Sequence, residues 1–301
     1  MQATDYIWQN GEFKLWHEAT VHVLAHTLHY GGGAFEGIRV YQTARGPAIF
    51  RLTEHVDRLI YSAQAIGMQL AYDHAAICQI IIETVRKNNM QEGYVRPLFY
   101  YGYNTLGVSA RNNPVEFIVA CWPWGQYLAH DAVDVKISKY IRIHPDSTIA
   151  DAKLCGHYLN SQLASLEIRN THYHEVLLLD ADGFVAEGAG ENIFMVKDRV
   201  LYTPTLGNIL GGITRQTVME MAHHYGYPVV EDHLTVEAFY KADEAFFTGT
   251  AAEVTAIRSI NDKIIGHETA RPVTEFMKGK YHQLVRGELD EYRQYLTLVA
   301  G

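Results

Sequence analysis

Gly211-Gly212-Ile213-Thr214-Arg215 is the stretch on which the reading of the fold turns. Two glycines let the backbone bend sharply and pass close to a ligand. They stand directly before a helical pattern, Thr214–Tyr225, that ends at Gly226 with Pro228 beyond. A helix start offers N–H groups without intrahelical partners and the positive end of the dipole. It is therefore a place for an anion, with the Thr214 hydroxyl as a further donor. A loop followed by an ordinary threonine cap accounts for the same residues. Upstream, Ala186-Glu187-Gly188-Ala189-Gly190-Glu191-Asn192 surrounds the Glu187 carboxylate with small residues, as if to hold it against something flat. Glu191 and Asn192 offer a second layer. The alternative is a glycine-rich hairpin with solvated glutamates. Further upstream, Asp151-Ala152-Lys153-Leu154-Cys155-Gly156-His157-Tyr158 sets Lys153 among small and apolar residues ahead of a helical segment, His157–Ile168. Desolvation favours the neutral amine, a nucleophile toward carbonyls. A surface position is the default for any single lysine.

The three fragments ask for one ligand. It has an aldehyde that reacts with an amine, a ring nitrogen that needs a carboxylate, and a phosphate that needs a helix start. Pyridoxal 5'-phosphate (PLP) has all three, and a carboxylate that keeps its pyridine nitrogen protonated lets the ring accept electrons.

Composition bounds the remaining possibilities. The chain has 301 residues, 48% hydrophobic and 20% charged, so it buries a large core and amounts to about two domains. Its 25 Lys and Arg against 34 Asp and Glu give a formal charge of −9, which argues against nucleic-acid binding. Cys78, Cys121 and Cys155 lie far apart with no Cys-x-x-Cys, so neither a disulfide framework nor a zinc knuckle is expected. No apolar run approaches a membrane span, and Met1-Gln2-Ala3-Thr4-Asp5 lacks a signal-peptide pattern. A cytoplasmic protein fits best. The closest histidine clusters, His172-Tyr173-His174-Glu175 and His223-His224, lack metal-site spacing, and no metal is expected. Phosphate-loop, dinucleotide and Gly-x-Ser-x-Gly motifs do not occur.

Periodicity gives a mixed α+β order. A hairpin turns at Asn10-Gly11. Leu52, Val56, Leu59, Ile60, Ala63 and Ile66 recur at helical spacing, with Thr53 placed to cap and Gly67 to stop. A second helix is expected from Asp73 to about Asn88. Strand-like runs follow at Tyr94–Tyr101, Val115–Trp124, Val133–Ile143, Glu175–Leu179, Asn192–Val196, Glu244–Phe247 and Glu253–Ile257, and an amphipathic helix from about Val273. The expected division is a small N-terminal domain over 1–125, a linker over 126–132 and a larger cofactor-binding domain over 133–301.

Six motifs occur in order: His29-Tyr30-Gly31 through Phe35-Glu36-Gly37-Ile38-Arg39; Arg51, Glu54-His55 and Arg58-Leu59; Tyr94-Val95-Arg96-Pro97; Glu187 to Phe194; Gly212-Ile213-Thr214-Arg215; and Thr248 to Glu253. With them the chain closely resembles the branched-chain amino acid aminotransferases among the fold-type IV PLP enzymes, over nearly its whole length. The resemblance implies the D-amino acid aminotransferase-like fold, with the active site at the domain interface. It also implies transamination between leucine, isoleucine or valine and 2-oxoglutarate. D-amino acid and (R)-amine transaminases and aminodeoxychorismate lyases share the scaffold and are the alternatives. Lys153 then looks like the Schiff-base lysine and catalytic acid/base, and Glu187 like the partner of the ring nitrogen. Tyr158 looks like a donor to the phenolic oxygen, and Arg58, Gly212, Ile213, Thr214 and Thr250 like the phosphate cup. Tyr30, Phe35, Val108, Trp124 and Tyr127 resemble the apolar wall for the substrate, with Gly37 beside them. Arg96 resembles the receiver of glutamate's distal carboxylate, and Tyr94 with Ala251 and Ala252 the α-carboxylate site. In the family Tyr30 and Val108 come from the neighbouring subunit, which implies a homodimer as the active unit, or a hexamer built from it. Cys155, His157, Gly32, Gly33 and Ala256 depart from the usual pattern and bear on substrate range.

Overall fold

The computed structural model describes residues 2–125, 130–267 and 269–299. The chain forms two compact units. One comprises residues 1–125, 152–157 and 284–301, and the other 126–151 and 158–283. Two stretches beyond residue 133 thus pack with the first unit. No helix among the described residues is long and apolar enough to cross a membrane.

The first unit is built on an eight-stranded antiparallel sheet. Its order is Leu296–Leu298, Gly46–Phe50, Ile38–Thr43, Gly93–Tyr101, Val115–Trp122, Tyr6–Gln9 and Glu12–Leu15, with Gly33–Phe35 also paired to Gly93–Tyr101. Asn10 and Gly11, both at positive φ, close the expected hairpin. Helices Leu52–Ala65 and His74–Lys87 bury Leu52, Val56, Leu59, Ala63, Ile77, Ile81 and Val85 in a core that includes the stacked Phe99 and Phe117. Asp73 caps the second helix by accepting from the Ala76 N–H at 2.8 Å. Thr53 does not cap the first. The residue before that helix is Arg51, at φ 51°, where its backbone N–H donates to Tyr295 O at 2.7 Å and its side chain meets Glu54 and the Tyr295 ring. A contact with a distant segment has replaced the local cap. Gly67, at φ 81°, stops the helix as expected.

The second unit carries a nine-stranded mixed sheet among the described residues. Its order is Val185–Gly188, Glu175–Leu179, Ala132–Ile137, Glu253–Ile260, Glu244–Gly249, Asn192–Lys197, Val200–Pro204 and Val229–Asp232, with Lys263–Ile264 on Glu253–Ile260. The strand expected to reach Ile143 ends at Ile137, and Pro145–Ser147 is a short 3₁₀ turn. The helix expected to begin at His157 is a 3₁₀ turn over Cys155–His157 followed by Tyr158–Leu166. Helix Ile213–His224 follows Gly212, its N-cap residue. Thr214 therefore lies in the first turn rather than at the cap.

Candidate active site

In the first unit the short strand Gly33–Phe35 places Phe35 beside the Lys153 segment. Ala34 bridges to Leu154, the Phe35 N–H donates to Lys153 O at 3.2 Å, and the Lys153 N–H donates to Ser62 Oγ at 2.9 Å. With its backbone tied on both sides, Lys153 holds Nζ 5.0 Å from the centre of the Phe35 ring. Tyr94 and Arg96, two apart on one strand, face the same way. The Arg96 guanidinium lies 4.6 Å from that same ring centre, and its Nη2 donates to the Tyr94 hydroxyl at 3.1 Å. Trp124 packs edge-on against Tyr94 at 4.5 Å, and its carbonyl accepts from Arg39. A Cβ at Gly37 would lie 1.7 Å from the Tyr94 hydroxyl, so only glycine leaves Tyr94 where it stands. Phe35, Gly37, Tyr94, Arg96, Trp124 and Lys153 therefore form one group. Its elements are an amine, a cation with a phenol, and aromatic surface.

Beside this group stands a charge cluster. His55 and Arg58, three apart on helix Leu52–Ala65, present one face to the fully buried Glu36. Arg58 donates from Nε at 2.6 Å and from Nη2 at 3.0 Å, and His55 Nδ1 lies 2.7 Å from Glu36 Oε2. Burial by itself would raise the Glu36 carboxyl, but Arg58 and His55 outweigh it and hold the group well below the usual carboxylate range. Burial pushes His55 down, against the pull of Glu36. Because an ionised Glu36 can only accept, His55 Nδ1 donates the hydrogen bond between them.

Tyr30 and Val108 are 47% and 88% exposed. Both line a cavity of about 900 Å³ within the first unit, together with Arg111, Asn113 and His157; its lining does not include Phe35, Arg96 or Lys153. Tyr127 lies outside the described residues. Cys155 packs so closely on Gly33 that a Cβ at 33 would come 2.9 Å from its Sγ, and burial pushes its thiol up against the pull of Arg96 and Lys153.

In the second unit Glu187 is buried on strand Val185–Gly188. Arg142 Nε donates to its Oε1, while Asn192 Nδ2 at 3.1 Å and the Leu210 N–H at 3.2 Å donate to its Oε2. Asn192 Nδ2 also donates to Leu210 O at 2.8 Å, and a Cβ on Gly212 would lie 1.9 Å from Asn192 Oδ1. One amide side chain thus locks the carboxylate to the loop that enters helix Ile213–His224. No side chain caps that helix, and Thr214 is buried in its first turn. Asn192 pairs with Thr248, so the turn carrying Thr250, Ala251 and Ala252 begins beside the same strand. The Thr255 hydroxyl fixes that turn by donating to Ala252 O at 2.7 Å. Tyr158 opens helix Tyr158–Leu166.

Sequence reading missed Arg142, Ser62 and the joint role of Glu36 and His55. Arg142 left a trace: a charged residue inside Tyr140-Ile141-Arg142-Ile143, an otherwise apolar run. Buried itself, its charge required a partner. Among the described residues no group of three or more His, Cys, Asp or Glu is arranged to hold a metal ion.

Each unit carries residues that fit PLP: a held lysine in the first, and in the second a carboxylate with fixed donors and an uncapped helix start after Gly212. Comparison with known proteins agrees. The family model for amino-transferase class IV matches residues 33–260. The chain is 44% identical to the branched-chain-amino-acid aminotransferase of Pseudomonas aeruginosa, covering 97% of each, and 39% identical to that of Escherichia coli, covering 98% of this chain and 97% of the relative. It superposes on the T.th. branched-chain amino acid aminotransferase complexed with N-(5'-phosphopyridoxyl)-L-glutamate with a TM-score of 0.96, at 43% identity, covering 99% of this chain and 100% of the other. The chain therefore belongs to the class IV aminotransferases, in the branched-chain-amino-acid aminotransferase group.

Proposed function

We propose that the protein uses PLP to exchange the amino group between leucine, isoleucine or valine and 2-oxoglutarate, giving branched-chain 2-oxo acids and glutamate. When bound, PLP supplies a carbonyl that takes up the amino group and a ring that draws electrons from the substrate α-carbon. In this reading Lys153 holds the cofactor and carries the proton between the α-carbon and the cofactor. Glu187 keeps the ring nitrogen protonated, and Tyr158 donates to the phenolic oxygen. Arg58, the Ile213 and Thr214 amides, the Thr214 hydroxyl and Thr250 hold the phosphate, a dianion suited to fixed N–H donors, with Gly212 allowing its approach.

One side-chain pocket must accept an isobutyl group and then a carboxylate. The observation that carries the reading is the Phe35 ring with Lys153 Nζ at 5.0 Å and the Arg96 guanidinium at 4.6 Å. Aromatic surface serves leucine, and the cation at its border serves glutamate. Tyr94 with Ala251 and Ala252 binds the α-carboxylate, and Gly37, Trp124 and Tyr127 complete the wall. Tyr30 and Val108 reach the site of a second copy, so the active unit is a homodimer, alone or within a hexamer, working in the cytoplasm. Their high exposure supports that assignment.

The test is to mix purified holoenzyme with L-leucine, D-alanine and (R)-1-phenylethylamine in parallel, following cofactor absorbance and glutamate formation from 2-oxoglutarate. L-Leucine is expected to bleach the visible band and drive glutamate formation. No response to any branched-chain amino acid would refute the assignment.

A further inference from the structure

We propose that Arg142 is a positioning residue for the cofactor's ring proton: it fixes the negative charge on Glu187 and so keeps the shared proton on the ring nitrogen. The proposal rests on the reading of Glu187 as the partner of that nitrogen.

Arg142 is 9% exposed, and its own N–H donates to Leu179 O at 2.8 Å. Its side chain does two things. Nη2 donates to Ala150 O at 3.2 Å, which steadies the guanidinium, and Nε donates to Glu187 Oε1. The other Glu187 oxygen takes two neutral donors, Asn192 Nδ2 and the Leu210 N–H. The neutral pair is enough to orient the carboxylate. Arg142 adds charge.

That charge has a definite sign of effect. A proton between a carboxylate and a pyridine nitrogen can rest on either. With Arg142 in direct contact with the carboxylate, the state with an anionic Glu187 and a protonated ring gains more from attraction to the carboxylate than it loses from repulsion of the more distant ring. An adjacent guanidinium lowers a carboxyl's proton affinity by roughly 1–3 pK units. Removing it shifts the proton's partition toward Glu187 by roughly tenfold or more. A ring without its proton is a poorer electron acceptor, so the effect falls on turnover rather than on substrate binding.

The experiment uses holoenzyme loaded with PLP labelled with ¹⁵N at the ring nitrogen, observed by NMR alongside leucine kinetics, for wild type, Arg142→Gln, Arg142→Lys and Glu187→Gln. Arg142→Gln is expected to move the ring signal toward that of unprotonated pyridine and to lower kcat with little change in KM. Arg142→Lys, which keeps the charge, is expected to restore the wild-type signal. A wild-type signal in folded Arg142→Gln, or a lysine variant displaced as far as the glutamine one, overturns the proposal. Should Arg142→Gln not fold, Arg142→Lys decides alone: the wild-type signal supports the proposal and a displaced one overturns it. Glu187→Gln separates the two readings. If it leaves the signal unchanged, the assignment of Glu187 itself is wrong; if it moves the signal and Arg142→Gln does not, only the role of Arg142 is lost.

Discussion

Glu36 is a carboxylate with no exposed surface that stays ionised because two partners reach it. Glu36→Gln removes the carboxylate charge that faces the Arg58 guanidinium, which costs about 3 kcal/mol. The sign with pH follows from the lowered carboxyl. The stabilisation is present above the unfolded value of 4.5 and fades as pH falls through the folded one. Thermal unfolding of the cofactor-free protein should therefore separate wild type from Glu36→Gln widely at pH 7 and less as the solution is acidified below 4.5. A gap that does not narrow would contradict the assigned ionisation. Gly37 belongs to the same scale. Gly37→Ala forces the Tyr94 hydroxyl away from a position that overlaps the new methyl. It should raise KM for leucine several-fold while cofactor affinity, measured by absorbance titration, stays near wild type. Lys153 and Glu187, candidate site residues that the sequence alone singles out, sit in compositionally odd stretches. Glu36, His55 and Arg142 do their work through partners far along the chain, and nothing local announces such a pairing.

Among elements, helix His74–Lys87 has a local cap and helix Leu52–Ala65 does not. Asp73→Ala removes the acceptor for the Ala76 N–H and should lower unfolding free energy by about 1 kcal/mol, read by denaturant melts, with turnover unchanged. The difference between the two helix starts also explains what periodicity could read. Apolar spacing located both helices, because each buries one stripe on the sheet. Thr53 looked like a cap because local chemistry allows it; Arg51 took the position instead through its contacts with Tyr295. Strand Leu296–Leu298 falls within the C-terminal segment that periodicity assigns to helix. It has three residues, too few for an alternation signal, and its pairing partner is Gly46–Phe50. The run to Ile143 reads as strand because apolar and polar residues alternate along much of it, but the strand ends at Ile137, and Arg142 is directed to Glu187.

For the whole molecule, pH stability carries a second signature. Glu175 is buried and its carboxyl is pushed up to about 7 by burial. A raised acid is held protonated by the fold, so its contribution is intact below the unfolded value of 4.5 and is lost as pH rises through about 7. Glu175→Gln should thus be more stable than wild type at pH 8, by roughly 1–3 kcal/mol, and the advantage should vanish toward pH 4.5. Melting curves across that range test it, and equal melting at pH 8 would contradict it. Glu36 and Glu175 thus act in opposite directions with pH.

Residues 152–157 belong to the first unit although the chain on either side of them belongs to the second. Their backbone is tied to Gly31, Ala34 and Phe35. The consequence is genetic as much as structural. No single cut in the gene yields either unit whole, so the two are not separable modules that recombination could shuffle one at a time.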